Sequence, residues 1–181
     1  MEQEKFAVRA EHLTKIFRDE VTKVPVTALE NLNLSIPAGK MTALTGPDGA
    51  GKTTCLRLIC GLLSPTGGRV EVLGRNVEEK RDEVQSLLGY MPQKFGLYED
   101  LSCMENMNLY ADLHGISKEE REKRYDRLLT MTGLAPFTNR RAGQLSGGMK
   151  QKLGLACTLI RTPALLLLDE PTAGVDPLSR R

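Results

Sequence analysis

The 181-residue chain carries 25 lysines and arginines against 23 aspartates and glutamates, a formal net charge of +2, with 40% hydrophobic and 27% charged residues. Such a balance is ordinary for a soluble globular protein and too small for a broad nucleic-acid surface, and no apolar run reaches membrane-spanning length. The length accommodates one domain with a sizeable core, or one domain plus a small subdomain.

The start, Met1-Glu2-Gln3-Glu4-Lys5, is polar with no apolar segment behind it, so no signal peptide is expected. Residues 6–13 begin with period-2 alternation, and residues 29–36 continue it with Leu32, Leu34 and Ile36 on one face, which predicts a small antiparallel layer. The turn Pro37-Ala38-Gly39-Lys40 leads into Met41-Thr42-Ala43-Leu44-Thr45, read as a buried strand.

The next stretch, Gly46-Pro47-Asp48-Gly49-Ala50-Gly51-Lys52-Thr53-Thr54, fits the phosphate-loop spacing G-x-x-x-x-G-K-[ST]. Glycines let the backbone N–H groups approach phosphate oxygens where a Cβ would clash. Lys52 brings a charge for the β- and γ-phosphates, and Thr53 offers a hydroxyl to Mg²⁺. The run from Thr54 to Cys60 reads as a helix, so the phosphates of a nucleotide triphosphate would sit on its N-terminus. Asp48 puts a carboxylate into a loop built for anions, so its side chain is expected to turn away.

After a turn at residues 64–68, Val70, Val72 and Leu73 predict a short strand, and residues 87–91 predict a buried one stopped by Pro92. From about residue 101 to 145 the pattern becomes that of a helical subdomain. Ser102 with Glu105 and Ser117 with Glu120 sign two helix starts as capping boxes. Leu109, Leu113 and Ile116 are expected to form the apolar face of the first helix, and Tyr125, Leu128 and Leu129 that of the second. The charged run 118–127 reads as a solvated face. Cys55, Cys60, Cys103 and Cys157 sit in apolar runs without metal-ligand spacing and are expected as buried free thiols of a reducing compartment.

Leu165-Leu166-Leu167-Leu168 suits a central parallel strand, and it ends in Asp169-Glu170. A strand-end aspartate of this kind holds Mg²⁺, and the carboxylate after it can deprotonate an attacking water. In Leu145-Ser146-Gly147-Gly148-Met149-Lys150-Gln151, Ser146 caps a helix running from Met149 to about Ile160, with Gly147 and Gly148 leaving its first N–H groups open as a second anion site.

That Leu-Ser-Gly-Gly stretch, followed by an apolar run and Asp-Glu, resembles the signature of ATP-binding cassette (ABC) ATPases, and the resemblance spans nearly the whole chain. It implies an α/β P-loop NTPase fold with a central, mostly parallel sheet, a small antiparallel layer and a helical subdomain. Residues 1–181 would form one ABC ATP-binding domain, with ATP and Mg²⁺ as ligands and ATP hydrolysis as its reaction. By the same resemblance Gly46, Pro47, Asp48, Gly49, Ala50, Gly51, Lys52, Thr53 and Thr54 bind ATP, and Phe17 stacks on adenine. Glu170, Gln93 and Lys52 are catalytic, while Thr53, Gln93 and Asp169 hold Mg²⁺. Residues 145–151 face the ATP of a second ABC domain, either a homodimer partner or a tandem copy, and Asp176 belongs to the D-loop at that interface.

A membrane-spanning permease is the implied partner, which places the domain at the cytoplasmic face of the membrane, and no nucleic acid is expected. Gly89-Tyr90-Met91-Pro92-Gln93-Lys94-Phe95-Gly96-Leu97-Tyr98 and Met104-Glu105-Asn106 resemble bacterial export ATPases, including drug-efflux subunits. Soluble ABC ATPases of ribosomes or DNA, and an ATP-binding remnant without turnover, are the alternatives. Two departures stand out. The family usually has asparagine or serine at Asp48, and its switch histidine, which neither His12 nor His114 can supply, lies some thirty residues beyond Asp169-Glu170. The chain therefore reads as the N-terminal part of an ABC domain.

Overall fold

The computed structural model describes residues 6–18 and 24–172. The chain divides into two compact units, Met1–Leu88 and Gly89–Arg181.

In the first unit, strands β1 (Phe6–Arg18), β2 (Pro25–Pro37), β3 (Gly67–Val72) and β4 (Arg75–Asn76) form an antiparallel sheet in the order β2-β1-β3-β4. Val8 and Ala10 of β1 and Val70 and Val72 of β3 alternate onto the buried side, and a register shift between Ala10 and Leu13, with His12 at φ 51°, buries Leu13 as well. The helix before β3, α1 (Lys52–Ile59), contributes Cys55, Leu58 and Ile59 to that interior and packs against β3. Burying these apolar faces supplies roughly 1.5–3 kcal/mol per fully covered large side chain. A further helix, α2 (Arg81–Leu87), buries Val84 on one side. Its sequence, dense in charge, gives little apolar periodicity, so pattern alone passes over it.

One expected strand is missing. Residues 41–45 adopt no regular structure, and Met41 is fully exposed at 100%. Apolar composition does not make a strand by itself, because extended backbone needs a ladder to satisfy its N–H and C=O groups. The four-stranded sheet of this unit takes up no such segment.

The second unit pairs β5 (Leu88–Met91) with β6 (Leu165–Leu168) in parallel and surrounds a separate helical core. Gly89 permits the close approach: a Cβ there would sit 2.8 Å from Pro163 Cγ and 3.2 Å from Leu166 Cδ1. Helices α3 (Cys103–Leu113), α4 (Lys118–Thr132) and α5 (Gly147–Leu159) bury Cys103, Met107 and Ala111, Tyr125, Leu128 and Leu129, and Leu153, Ala156 and Cys157 against one another. The expected face of α4 is thus the buried one. On α3 the buried stripe is Cys103, Asn106, Met107 and Ala111 and Leu113 is 69% exposed, although Ile116, just past the helix, joins the core as expected. Asn106 explains the shift. Its side chain donates to the carbonyls of Tyr98, Leu101 and Ser102 and accepts from Tyr98 N at 2.9 Å, so a polar residue is satisfied inside. All four cysteines are buried thiols, and burial pushes those of Cys55 and Cys157 up to about 11 and about 12.

Both helix-start readings hold, to different degrees. At Ser102 the box is reciprocal: Glu105 N donates to Ser102 Oγ at 3.2 Å and Ser102 N donates to Glu105 Oε2 at 2.8 Å. At Ser117 only the serine side is made, with Glu120 N donating to Oγ at 3.4 Å. Ser102→Ala is expected to lower the unfolding free energy by about 1 kcal/mol, read as a shifted denaturant midpoint. An unchanged midpoint would mean that the cap contributes nothing.

Candidate functional site

The phosphate loop leads into α1 as the spacing predicts. Gly49 and Gly51 take the left-handed conformation at φ 79° and 83°, and Ala50 N donates to Pro47 O at 3.2 Å, closing the turn. Gly51 is also a point of close approach: a Cβ would lie 2.4 Å from Ala28 O and 2.8 Å from Leu29 Cδ2. Lys52 folds back over the loop, its Nζ donating to Gly46 O and Pro47 O at 2.8 Å each. Helix α1 starts without a side-chain cap and with no acidic residue in its first turn. A triphosphate fits this donor set, since no carboxylate stands in the first turn of the helix. Asp48 is exposed.

Gly51→Ala should cost about 2 kcal/mol or more, from left-handed strain plus the backbone clash, whereas Gly49→Ala should cost only the strain of about 1 kcal/mol, because nothing lies within 4 Å of its Cβ position. Denaturant unfolding of the two variants separates the terms, and equal losses would place the clash elsewhere.

The carboxylate end is built in the second unit, where β5 and β6 finish side by side. Asp169 N donates to Met91 O at 2.9 Å, carrying the ladder one residue past β6, and Asp169 is buried at 3% exposure. Tyr90 Oη donates to Asp169 Oδ2 at 3.3 Å, so the buried carboxylate has a neutral donor from the adjacent strand. Glu170 then turns into the left-handed region at φ 49°, a conformation costing a non-glycine residue roughly 1–2 kcal/mol. That turn breaks strand alternation and leaves Glu170 exposed just beyond the buried Asp169. Gln93, in the loop after β5, meets it: Gln93 Nε2 donates to Glu170 Oε2 at 2.7 Å. Three predicted residues separated by some 77 positions are thereby brought together. Tyr90 was in the sequence stretch singled out before Gln93, but nothing in the linear pattern tied it to Asp169.

The signature stretch occupies the start of α5, which begins at Gly147, two residues earlier than its apolar run suggests. Glycine is a poor helix former, and Ser146 compensates by accepting from Met149 N at 3.3 Å. Ser146 and Gly147 are exposed, Leu145 is buried, and Gly148, Met149, Lys150 and Gln151 are half-buried. Lys150 does not face the helix end. Its Nζ bonds Glu99 Oε1 at 2.7 Å, and the ammonium holds that carboxyl below its ordinary range. Glu99, which the sequence reading did not single out, also receives Gly143 N on its carbonyl at 2.9 Å. The loop after Gln93 is fixed against the same helix. A Cβ on Gly154 would lie 3.0 Å from Phe95 Cγ, and the Phe95 ring packs tilted by 37° against Tyr110 with centroids 5.1 Å apart, while Tyr110 Oη donates to Gly96 O at 2.9 Å.

Phe17 lies near the end of β1 with 37% of its surface exposed. The D-loop residue Asp176 falls outside the described residues.

Comparison with known proteins agrees with this geometry. The family profile described as "ABC transporter" matches residues 29–173. The Escherichia coli protein named "Probable multidrug ABC transporter ATP-binding protein YbhF" is 58% identical over 154 residues, 85% of this chain and 27% of that protein, so the chain spans about a quarter of this relative's length. A solved dimer of MJ0796, a bacterial ABC transporter cassette, superposes with a TM-score of 0.83 at 31% identity, covering 95% of this chain and 77% of that one. The post-hydrolysis state of the same cassette, bound to ADP and Pi, matches with a TM-score of 0.82 at 32% identity over 95% of this chain and 77% of that one. With the phosphate loop, the signature helix and the Asp169-Glu170 strand end in place, the chain belongs to the ABC transporter family, and its fold is that of the ABC ATPase cassette.

Proposed function

We propose that the chain binds ATP with Mg²⁺ and hydrolyses it as the motor of an export transporter, paired with a second ABC domain and docked on a membrane-spanning permease at the cytoplasmic face of the membrane. The observation that carries this reading is the hydrogen bond from Gln93 to Glu170 beside the buried Asp169. It orients a carboxylate at the end of a parallel strand, as a hydrolytic base requires.

In this reading Glu170 accepts a proton from water as the water oxygen attacks the γ-phosphorus, and ADP leaves. Lys52 and the N-terminus of α1 balance the negative charge on the phosphate oxygens. Thr53, Gln93 and Asp169 hold Mg²⁺, which when bound neutralises phosphate charge. Phe17 offers its ring to adenine. The exposed Ser146 and Gly147 at the head of α5 serve the ATP of the partner copy, which is supported by the dimeric form of the related MJ0796 cassette. Export of drug-like compounds is supported by the name of the E. coli relative. Among the described residues no helix is long and apolar enough to cross a membrane.

Phosphate release, measured with the protein alone and reconstituted with its co-purifying membrane protein in vesicles, tests this. Turnover stimulated by the membrane partner and by an exported compound is the expected result. Turnover that instead requires ribosomes or DNA would replace the transport reading.

A further inference from the structure

A lysine is fixed against the ring that the proposed function gives to adenine. Lys15 and Phe17 are two apart on β1, so their side chains share one face of the strand. Lys15 Nζ lies over the Phe17 ring, 5.1 Å from its centroid. The same Nζ donates to Ser64 O at 2.8 Å, in the turn that follows α1.

That turn is itself strapped to β1. Thr66 N donates to Thr14 O at 2.8 Å, Ile16 N donates to Thr66 Oγ1 at 3.0 Å, and Thr66 Oγ1 donates to Ile16 O at 3.4 Å. Lys15 is therefore half-buried and anchored at its tip, unlike a free surface lysine, whose rotamer entropy would carry it off the ring. The anchor lies past the C-terminal end of α1, while the phosphate loop is at the N-terminal end. The ammonium is thus held on one face of Phe17, and the ring is still 37% exposed with exposed Val26 as its cross-strand neighbour.

A cation on one face of an aromatic ring draws its electron density and makes the opposite face a better partner for an electron-rich base. We propose that Lys15 is an affinity-determining residue of the adenine subsite: it polarises Phe17 from behind, so that an adenine stacks on the open face of a cation–ring–base sandwich. This rests on the reading of Phe17 as the adenine platform.

The test is equilibrium binding of ATP and of inorganic tripolyphosphate, which engages the phosphate loop without a base. The proteins compared are the parent, Lys15→Met, Lys15→Arg, Phe17→Leu and the Lys15→Met/Phe17→Leu double variant. Lys15→Met keeps the length and apolar stem but removes the charge. It is expected to weaken ATP about threefold to tenfold, with Lys15→Arg restoring most of the loss. Tripolyphosphate affinity should be unchanged, which also reports an intact loop in each variant. In the Phe17→Leu background, Lys15→Met should have no further effect, since there is no ring left to polarise.

Three results overturn the proposal while leaving Phe17 as the platform: unchanged or tighter ATP binding in Lys15→Met, equal losses for ATP and tripolyphosphate, or full additivity with Phe17→Leu. Parental ATP affinity in Phe17→Leu itself would remove the platform, and the proposal with it.

Discussion

Replacing Glu170 with glutamine is expected to slow ATP hydrolysis by about 10²–10⁴-fold, the range for a lost general base, while ATP binding stays near parental. The structure makes the substitution a clean one. Glutamine keeps an oxygen that can still accept from Gln93 Nε2, so the 2.7 Å contact and the left-handed turn at φ 49° need not change. Only the ability to take a proton is lost. Phosphate release in single-turnover and steady-state assays gives the rate, and ATP titration gives the affinity. A variant that hydrolyses at the parental rate would move the base to another residue. A variant that loses binding as well would show that position 170 shapes the nucleotide site.

Lys52→Ala is expected to act one step earlier, weakening ATP by roughly 10- to 100-fold, as befits a charged donor worth about 1.5–3 kcal/mol. Two losses combine. The charge that the proposed function gives to the phosphates disappears, and so do the ammonium's bonds to Gly46 O and Pro47 O, which hold the loop closed over α1. Lys52→Arg separates them, because the charge remains while the compact point donor does not. Titration with a fluorescent ATP analogue reads the change. Parental affinity in Lys52→Ala would detach this loop from nucleotide binding.

The two variants probe residues of differing legibility. Lys52 was readable from local spacing, because a phosphate loop is built from consecutive residues whose backbone conformations are set by glycine. The left-handed Gly49 and Gly51 follow from that. The capped starts of α3 and α4 were equally local, since Ser102 and Glu105 need only be three apart to satisfy each other. Faces were less secure. The apolar spacing of Leu109, Leu113 and Ile116 pointed to one stripe of α3, but Asn106 made four hydrogen bonds to Tyr98, Leu101 and Ser102 and took the interior with Met107.

What the sequence determined by itself was whatever depends on near neighbours along the chain: the phosphate loop, the helix caps, the inward alternation of β1 and β3, and the family that the motifs at 46–54, 145–151 and 165–170 together identify. Tertiary structure decided what depends on a partner far away in the chain. It brought Gln93 to Glu170 and Tyr90 to Asp169, because β5 and β6 end together and Gly89 lets them close. It bound Lys150 to Glu99 and seated Phe95 over Gly154. It also left residues 41–45 without a strand, although their composition suits one. The physical reason is common to all five. A ladder, an ion pair or a close packing contact needs both members, and only the fold determines which distant member arrives.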